Sequence, residues 1–199
     1  APIPTVASQP GGTSAPGAAT PGVPARVLFR FSKRGRAVWI SHLDLMTVFE
    51  RSLARAGYRA RFTEGFNPKP RLEFASPLVL GAASAGEIAS VEIEDYDGAE
   101  SFSRRLGAAL PPGIAVEEAA EMPPVVKGAR RPSLGALHWG SEYRLGSGRT
   151  VLLPKDGPGI KTLLDEAGGS TGVERLRTLA AGPAGAPVSY FAFFSSSRS

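Results

Sequence analysis

The chain has 199 residues, of which 42% are hydrophobic and 21% are charged, so it is long and apolar enough for one ordinary domain or two small ones. It has no cysteine and two histidines, His42 and His138, which excludes a disulfide scaffold, a thiolate nucleophile and a cysteine-held zinc or iron–sulfur site, and disfavours an all-histidine metal site. The net charge of +5 is segregated: residues 26–75 carry +7, 76–121 carry −7 and 122–199 carry +5, which indicates either a surface that attracts polyanions or ordinary solvated faces.

Residues 1–25 have no charged and no aromatic side chain and are rich in Ala, Pro, Gly, Ser and Thr. This composition predicts a flexible, partly extended linker, with something attached before it. The chain begins at Ala1 without the basic-then-apolar order of a secretory signal, and no run of about eighteen apolar residues is present. We therefore expect a cytoplasmic protein that is a processed, tagged or excised piece of a longer chain.

The first predicted elements are a strand over 27–31, a turn at 33–36 and a helix that begins after Ser41. The strand is apolar at alternate positions, which predicts one buried face. Ser41 is the predicted N-cap, with Asp44 three residues later, and Gly57 is the expected glycine beyond the last turn. The helix has one apolar stripe, formed by His42, Leu45, Met46, Phe49, Leu53 and Ala56.

The next segment continues the alternation of strands and helices. The loop at 65–70 contains a glycine and two prolines, which keep it out of a strand ladder. Further strands are predicted at 58–63, 71–75, 88–94 and 114–116, with a turn at 81–86 before the third of these. A second helix is predicted at 99–110, and its inward residues are Phe102, Leu106, Ala109 and Leu110. The order is β-α-β-β-α-β, which predicts an α+β fold for residues 26–121: a ferredoxin-like sandwich with an antiparallel sheet and two helices on one face.

Residues 122–133 are rich in proline and basic, as is typical of a connector. We interpret 134–199 as a small appended α+β extension with a tail. Its predicted elements are paired strands at 142–145 and 150–153, a helix at 160–167, a helix that begins at the T-G-V-E pattern of 171–174, and an aromatic tail at 190–194 that either docks as a strand or is left over.

Three features could carry a function. The helix start with Ser41, His42 and Asp44 offers backbone N–H groups to an anion, although a lone histidine on an apolar stripe is more often a packed core residue. The rigid loop with Phe66 and Asn67 could stack on a base, or could simply connect two strands. A basic set beside these residues could contact phosphates; it consists of Arg26, Arg30, Lys33, Arg34, Arg36, Arg59, Arg61, Lys69 and Arg71, with Trp39 nearby.

The strings FSKRG, WISHLDLM, FERSLARAG and FTEGFNPKPRLEFASPL follow one another in this chain. In this order they resemble a bacterial family, the radical-SAM-linked domain of unknown function, which occurs fused behind or encoded beside a radical SAM protein. The similarity covers about residues 26–121 and falls away after 130. None of the phosphate-loop, dinucleotide-fingerprint, H-E-x-x-H or G-x-S-x-G motifs is present, so nothing indicates a self-sufficient hydrolase or nucleotide-dependent enzyme.

The resemblance implies a radical SAM domain or protein as partner, with S-adenosylmethionine and an iron–sulfur cluster on that partner and no cofactor or metal on this chain. It also implies RNA-related work, although the family supplies no proven role for any residue. The positions that match its motifs are Ser41, His42, Asp44, Gly65, Phe66, Asn67 and Pro68.

Three functions remain open from the sequence. The leading hypothesis is a non-catalytic module that recognises RNA, either tRNA or rRNA, for the radical SAM partner. Its predicted contacts are Ser41, His42, Asp44, Phe66, Asn67, Arg30, Lys33, Arg36, Lys69 and Arg71. The second hypothesis is a metal-independent endoribonuclease with His42 as general base. The third is a protein-docking module that uses the acidic stretch 87–100 and binds no nucleic acid. Each leaves the oligomeric state open.

Overall fold

The structure is a computed structural model that describes residues 23–124, 131–157 and 172–196, together with 160, 162 and 165. The strands in these ranges are β1 (Val23–Lys33), β2 (Leu72–Phe74), β3 (Ala83–Tyr96), β4 (Ile114–Glu121), β5 (His138–Leu145), β6 (Thr150–Pro154), β7 (Val173–Ala181) and β8 (Pro187–Ser189). The helices are α1 (His42–Arg55), α2 (Ala99–Ala109), α3 (Leu134–Leu137) and α4 (Tyr190–Ser196), and short 3-10 turns lie at Gly35–Trp39 and Pro183–Gly185.

The described strands form one mixed sheet in the order β4-β1-β3-β7-β5-β6, with β2 paired to β3 and β8 to β7. β1 is antiparallel to both β3 and β4, β2 is antiparallel to β3, and β3 and β7 are parallel. The α+β class is therefore confirmed. This eight-stranded mixed sheet is larger than the four-stranded antiparallel sheet of a ferredoxin-like sandwich, because β7 joins β3 and extends the sheet into β5 and β6.

The main core lies between the sheet and helices α1 and α2. Alternate residues of β1 point into it, and Phe29 and Phe31 are both fully buried. The ring of Phe31 lies 4.8 Å from that of Phe49 on α1, and the ring of Phe29 lies 5.6 Å from that of Phe102 on α2. The predicted inward faces of β1 and of both helices are thereby confirmed.

A second core covers the opposite face of β1 and β3. Leu28 and Ile88 lie there, under Leu134 of α3 and Tyr190 of α4. The Tyr190 hydroxyl donates a hydrogen bond to the Leu134 carbonyl at 2.7 Å, so the last helix is tied to the chain region before β5. Because both faces are covered, β1 and β3 are apolar on alternate residues towards one core and partly apolar towards the other.

The predicted ends of α1 are confirmed. The Ser41 side chain accepts a hydrogen bond from the backbone N–H of Asp44, which satisfies one of the free donors of the first turn. Gly57 follows the helix with φ +78°, a left-handed conformation that a side chain would strain.

Three predicted elements are wrong. The segment 58–63 is extended but makes only two isolated bridges, Ala60 with Ile93 of β3 and Phe62 with Pro70, and it forms no continuous ladder. The T-G-V-E pattern at 171–174 leads into strand β7 and no helix, since β5 and β3 pair with it on either side. The aromatic tail docks as the helix α4 and not as a strand.

Other boundaries differ by a few residues. β1 begins at Val23, inside the stretch predicted as linker, and β3 begins at Ala83, within a predicted turn. The predicted pairing of 142–145 with 150–153 is confirmed as β5 and β6. The rest of the predicted linker, most of the predicted helix at 160–167 and part of the predicted connector lie outside the described residues.

Candidate nucleic-acid interface

The segment 59–71, which we call the 59–71 hairpin, projects from the edge of β3. It is anchored by backbone hydrogen bonds: Arg61 N–H donates to the Glu92 carbonyl at 2.8 Å, and Glu92 N–H donates to the Arg71 carbonyl at 3.1 Å. Thr63 N–H donates to the Lys69 carbonyl at 2.8 Å and closes the hairpin below its tip. The side chains between Arg61 and Lys69 are all exposed. The backbone of this hairpin is therefore fixed while its side chains face solvent.

Two aromatic side chains of the hairpin are exposed. Phe66, at the tip, is fully exposed, and Phe62 is half exposed. The exposed surfaces of these rings are flat and apolar, so a base or another ring can stack on them.

The hairpin has four cationic side chains, and two of them form ion pairs with carboxylates of β3. Arg59 lies 3.6 Å from the Glu94 carboxylate, and Arg71 lies 3.2 Å from that of Glu92. Arg61 and Lys69 make no ion pair with any described residue. These two cations are exposed beside the rings of Phe62 and Phe66, so the hairpin combines stacking surfaces with free positive charge.

A groove of about 800 Å³ opens beside the hairpin, on the sheet face away from α1 and α2. Arg26, Arg71 and Arg131 line it, together with Glu73 and Glu92. Arg26 is bonded to Glu73, and its guanidinium also donates to the Ser90 hydroxyl at 2.9 Å.

A smaller recess of about 270 Å³ continues from this groove and shares Arg26 and Arg131 with it, adding Arg61. Burial lowers the pKa of Arg131 and the nearby charge of Arg26 lowers it further, while Glu92 opposes the shift. The two arginines thus lie close enough to repel each other. An anionic group between them would relieve that repulsion.

The sequence analysis missed Arg131. It lies in the segment predicted as a connector, and the signal that could have found it is the basic, proline-rich composition of 122–133. The nearby turn into α3 brings it back over β1, where its guanidinium donates to the Pro123 carbonyl.

The predicted site at the start of α1 is less open than expected. The Ser41 hydroxyl donates to the Asp44 carboxylate at 2.7 Å, so these two side chains are engaged with each other. The His42 ring is half buried and lies edge-on to Phe74, with ring centroids 5.3 Å apart. Phe74 in turn contacts Phe49 of the core. His42 therefore occupies the position of a packed residue at the rim of the main core.

The remaining predicted contacts lie apart from one another. Lys33 is only 1% exposed and its Nζ donates to the Ile40 carbonyl at 2.7 Å, so it cannot contact a phosphate at the surface. Arg30 faces Glu118 of β4 at 3.3 Å. Arg36 is exposed on the 3-10 turn beside the exposed ring of Trp39. Phe66, Asn67, Lys69 and Arg71 are the predicted residues that one element, the 59–71 hairpin, brings together.

The acidic stretch 87–100 does not form a free face. β3 is a central strand, and its carboxylates pair with arginines of this chain: Glu87 with Arg175, Glu92 with Arg71, and Glu94 and Asp95 with Arg59. The opposite charges that the sequence segregates are therefore largely combined within the fold.

A family model for uncharacterized proteins conserved in bacteria, DUF2344, matches residues 26–171. The chain belongs to the DUF2344 family. The match extends some fifty residues beyond the similarity expected from the sequence motifs, and it includes the 59–71 hairpin, the groove arginines and strands β1 to β6. No curated protein matches the chain.

The DUF2344 match assigns no chemistry to these residues. In the described part of the chain no three His, Asp or Glu side chains are grouped so that they could hold a metal ion. The described helices include none that is long and apolar enough to cross a membrane.

Proposed function

We propose that this chain is a non-catalytic recognition module that binds single-stranded RNA on the 59–71 hairpin and in the adjoining arginine-lined groove. The observation that carries the proposal is the combination, on one anchored hairpin, of the exposed rings of Phe62 and Phe66 with two cations, Arg61 and Lys69, that pair with no described carboxylate. Proteins that hold single strands use this combination, because bases stack on the rings while cations neutralise the backbone.

The order of the arginines along the groove supports a path for the bound RNA strand. From the hairpin, Arg71 leads to Arg26 and Arg131, which line the groove on the same sheet face. The glutamates Glu73 and Glu92 hold Arg26 and Arg71 in position and neutralise part of their charge. Phosphate contacts should therefore come mainly from Arg61, Lys69 and Arg131, with base contacts at the hairpin tip.

We further propose that the module serves a radical SAM domain or protein, as the resemblance of its motifs to the radical-SAM-linked family implies, and that it works in the cytoplasm. S-adenosylmethionine and the iron–sulfur cluster would belong to that partner, because this chain has no cysteine to hold a cluster. The RNA would be a tRNA or an rRNA, which the module presents to the partner.

No observation favours the two alternatives. An endoribonuclease would need His42 in contact with a reacting group, but its ring packs against Phe74 and has no hydrogen-bond partner among the described residues. A docking module would need an unpaired acidic face on β3, whose carboxylates at Glu87, Glu92 and Glu94 are engaged with arginines.

The test is a fluorescence anisotropy titration of a labelled single-stranded RNA of roughly 12 nucleotides, a length that covers common single-strand site sizes. Phe66→Ala should weaken binding by about 1–3 kcal/mol, the cost of losing one stacked base, without changing the salt dependence. Lys69→Met should weaken binding at low salt and reduce the slope of log K against log salt by about 0.7, because one phosphate contact is lost.

Matched control variants lie at the other end of the sheet, on and after β6. Leu152→Ala removes an exposed apolar side chain and Lys155→Met an exposed cation, and neither should change RNA affinity. Equal RNA binding by wild type and Phe66→Ala, or absence of salt-dependent binding in the wild type, would overturn the proposal. RNA cleavage that His42→Ala abolishes would support the nuclease instead.

A further inference from the structure

A second pocket, remote from the hairpin, lies where β5, β6 and β7 meet the loop after β2. Its volume is about 170 Å³, which corresponds to about five water molecules. Polar and basic side chains line much of it, including His138, Ser141, Tyr143, Lys155 and Arg175, and no Asp or Glu is among the described residues at its wall.

The innermost wall of this pocket is a buried guanidinium. Arg175 is 3% exposed; its Nη1 donates to both carboxylate oxygens of Glu87, at 3.0 and 3.2 Å. Its Nε and Nη2 donate to the Tyr143 hydroxyl at 3.2 and 2.9 Å, and Nη2 also donates to the Pro77 carbonyl at 3.1 Å. These bonds occupy the guanidinium. The Tyr143 hydroxyl accepts twice, and its own hydrogen is directed to no acceptor within the described structure.

Three further polar atoms in this region are buried without a hydrogen-bond partner among the residues that the structure describes. They are the Ser141 hydroxyl, the Thr178 hydroxyl and Nδ1 of His138. Ser141 is 2% exposed, lines the pocket and lies opposite Thr178 in the β5–β7 ladder. Buried polar atoms are rarely left without hydrogen bonds, so such a cluster beside a pocket points to a bound polar species.

The charge around the pocket is positive. Arg175 is balanced by Glu87, whose charge also acts on the buried ammonium of Lys33, and Lys155 lies at the pocket wall without an ion pair in the described structure. Burial lowers the pKa of His138 to about 4, and the charges of Arg175 and Lys155 lower it further, against a backbone hydrogen bond with Leu179. Both cations therefore act on the space that His138 faces.

We propose that this pocket binds a small oxyanion of the phosphate type. Its oxygens would accept hydrogen bonds from the hydroxyls of Ser141 and Tyr143 and face the ammonium group of Lys155. Hydrogen phosphate also carries one O–H, so it can pair with Nδ1 of His138 whether that nitrogen is donor or acceptor. The volume suits a phosphate group and not a whole nucleotide.

The experiment titrates the full chain with sodium phosphate, with sodium chloride at equal ionic strength as the control. His138 and His42 are the two histidines of the chain, so their ring signals in NMR spectra report on the two places separately. Phosphate should shift the His138 ring signals saturably and leave those of His42 unchanged. The Tm should rise with phosphate concentration, because a ligand that binds only the folded state stabilises it.

Variants separate binding from a structural role. Lys155→Met should abolish the saturable shift at His138, whereas Lys69→Met, which removes an exposed cation from the hairpin, should retain it. Ser141→Ala should leave the Tm in chloride unchanged or higher, because it removes an unsatisfied buried hydroxyl, and should reduce the increase in Tm that phosphate causes. No saturable shift at His138, or an equal response of Lys155→Met and wild type, would overturn the proposal and leave a pocket filled by water. The proposed RNA contacts include none of the pocket residues, so the two proposals fail separately.

Discussion

Two buried regions of this sheet are stabilised in different ways. Between the sheet and helices α1 and α2 the core consists of packed aromatic and aliphatic side chains, in which the ring of Phe29 contacts those of Phe31, Phe49 and Phe102. Where β3 meets β7, the buried groups are instead charged, and Arg175 and Glu87 form the centre. The first region follows from apolar periodicity. The second requires specific partners, because an unpaired buried charge is strongly destabilising.

The second region depends on a close approach between the backbones of β3 and β7. Gly86 lies so near β7 that a Cβ there would be 2.4 Å from the Leu176 carbonyl oxygen. Without a side chain at this position, β7 comes near enough for Arg175 to reach Glu87 and for the Ser84 hydroxyl to donate to the Arg175 carbonyl at 3.2 Å. The apolar core tolerates small adjustments of its side chains, whereas this polar cluster depends on one arrangement of the strands.

The largest expected loss in the apolar region is that of Phe49→Ala. Phe49 is fully buried and contacts Phe29, Phe31 and Phe74, so truncation leaves a cavity and should reduce the free energy of unfolding by about 3–5 kcal/mol. Phe49→Leu should lose clearly less, because most of the volume remains. Urea unfolding of the three proteins measures both values, and an equal loss in the two variants would show that the region needs one exact shape.

Arg175→Met tests the polar region, with an expected loss of similar size, about 3–5 kcal/mol, since Glu87 then lies buried without its principal partner. Arg175→Lys should not restore the stability, because an ammonium has three N–H donors and cannot replace the five bonds of the planar guanidinium to Glu87, Tyr143 and Pro77. The double variant Glu87→Gln/Arg175→Met should lose less than the sum of the single variants. Additive losses, or rescue by lysine, would remove the distinction between the two regions.

This difference also explains which parts of the fold the sequence predicts. The apolar periodicity of α1, the Ser41 cap and the Gly57 terminus are local signals, and they placed this helix within one residue of its observed ends. The inward residues of β1 and α2 were predicted for the same reason. A period of side chains and a capping residue need no knowledge of distant parts of the chain.

The misplaced elements all depend on distant contacts. The T-G-V-E pattern favours a helix locally, but Val173 and Arg175 become part of β7 because β3 and β5 pair with it across some ninety and thirty residues. The isolated bridges of 58–63 and the docking of α4 through Tyr190 are likewise decided by tertiary contacts.

The candidate site was predicted in part. Phe66, Asn67, Lys69 and Arg71 were chosen for their residue types, and they lie on one hairpin because they are close in sequence. The sequence predicts that Lys33 is a surface cation, whereas the structure buries it against Ile40. Arg131 was omitted because its approach to Arg26 follows from the path of the chain, which no local pattern indicates.

The two regions should respond to acid in different pH ranges. The pKa of His138 in the folded chain is about 4 against an ordinary 6.5, chiefly because of burial. Between these values the unfolded chain takes up a proton that the folded chain does not, so stability should fall as the pH is lowered from 6.5 to 4. His138→Gln should lack this decrease. Chemical unfolding at a series of pH values measures it, and parallel curves for both proteins would contradict the assignment.

The apolar region should lose a smaller contribution at lower pH, through a polar cluster at its edge. Burial raises the pKa of Asp97, but hydrogen bonds from Tyr58, Ser101 and Arg105 outweigh it and lower that pKa from 3.8 to about 2. Because the folded value is depressed, the stabilisation is present above 3.8 and is lost as the pH falls towards 2.

Asp97 connects α2 to the end of α1, since Arg105 also donates to the Ala56 carbonyl and its guanidinium lies 4.0 Å from the ring centre of Tyr58. The carboxylate is partly exposed, so we expect the smallest effect here. The stability difference between wild type and Asp97→Asn should be constant from neutral pH to 3.8 and shrink below it. Because the folded and unfolded chains differ in proton uptake at His138 mainly between 6.5 and 4, a wild type–Asp97→Asn difference that shrinks in this range would show that the two regions are coupled and do not titrate independently.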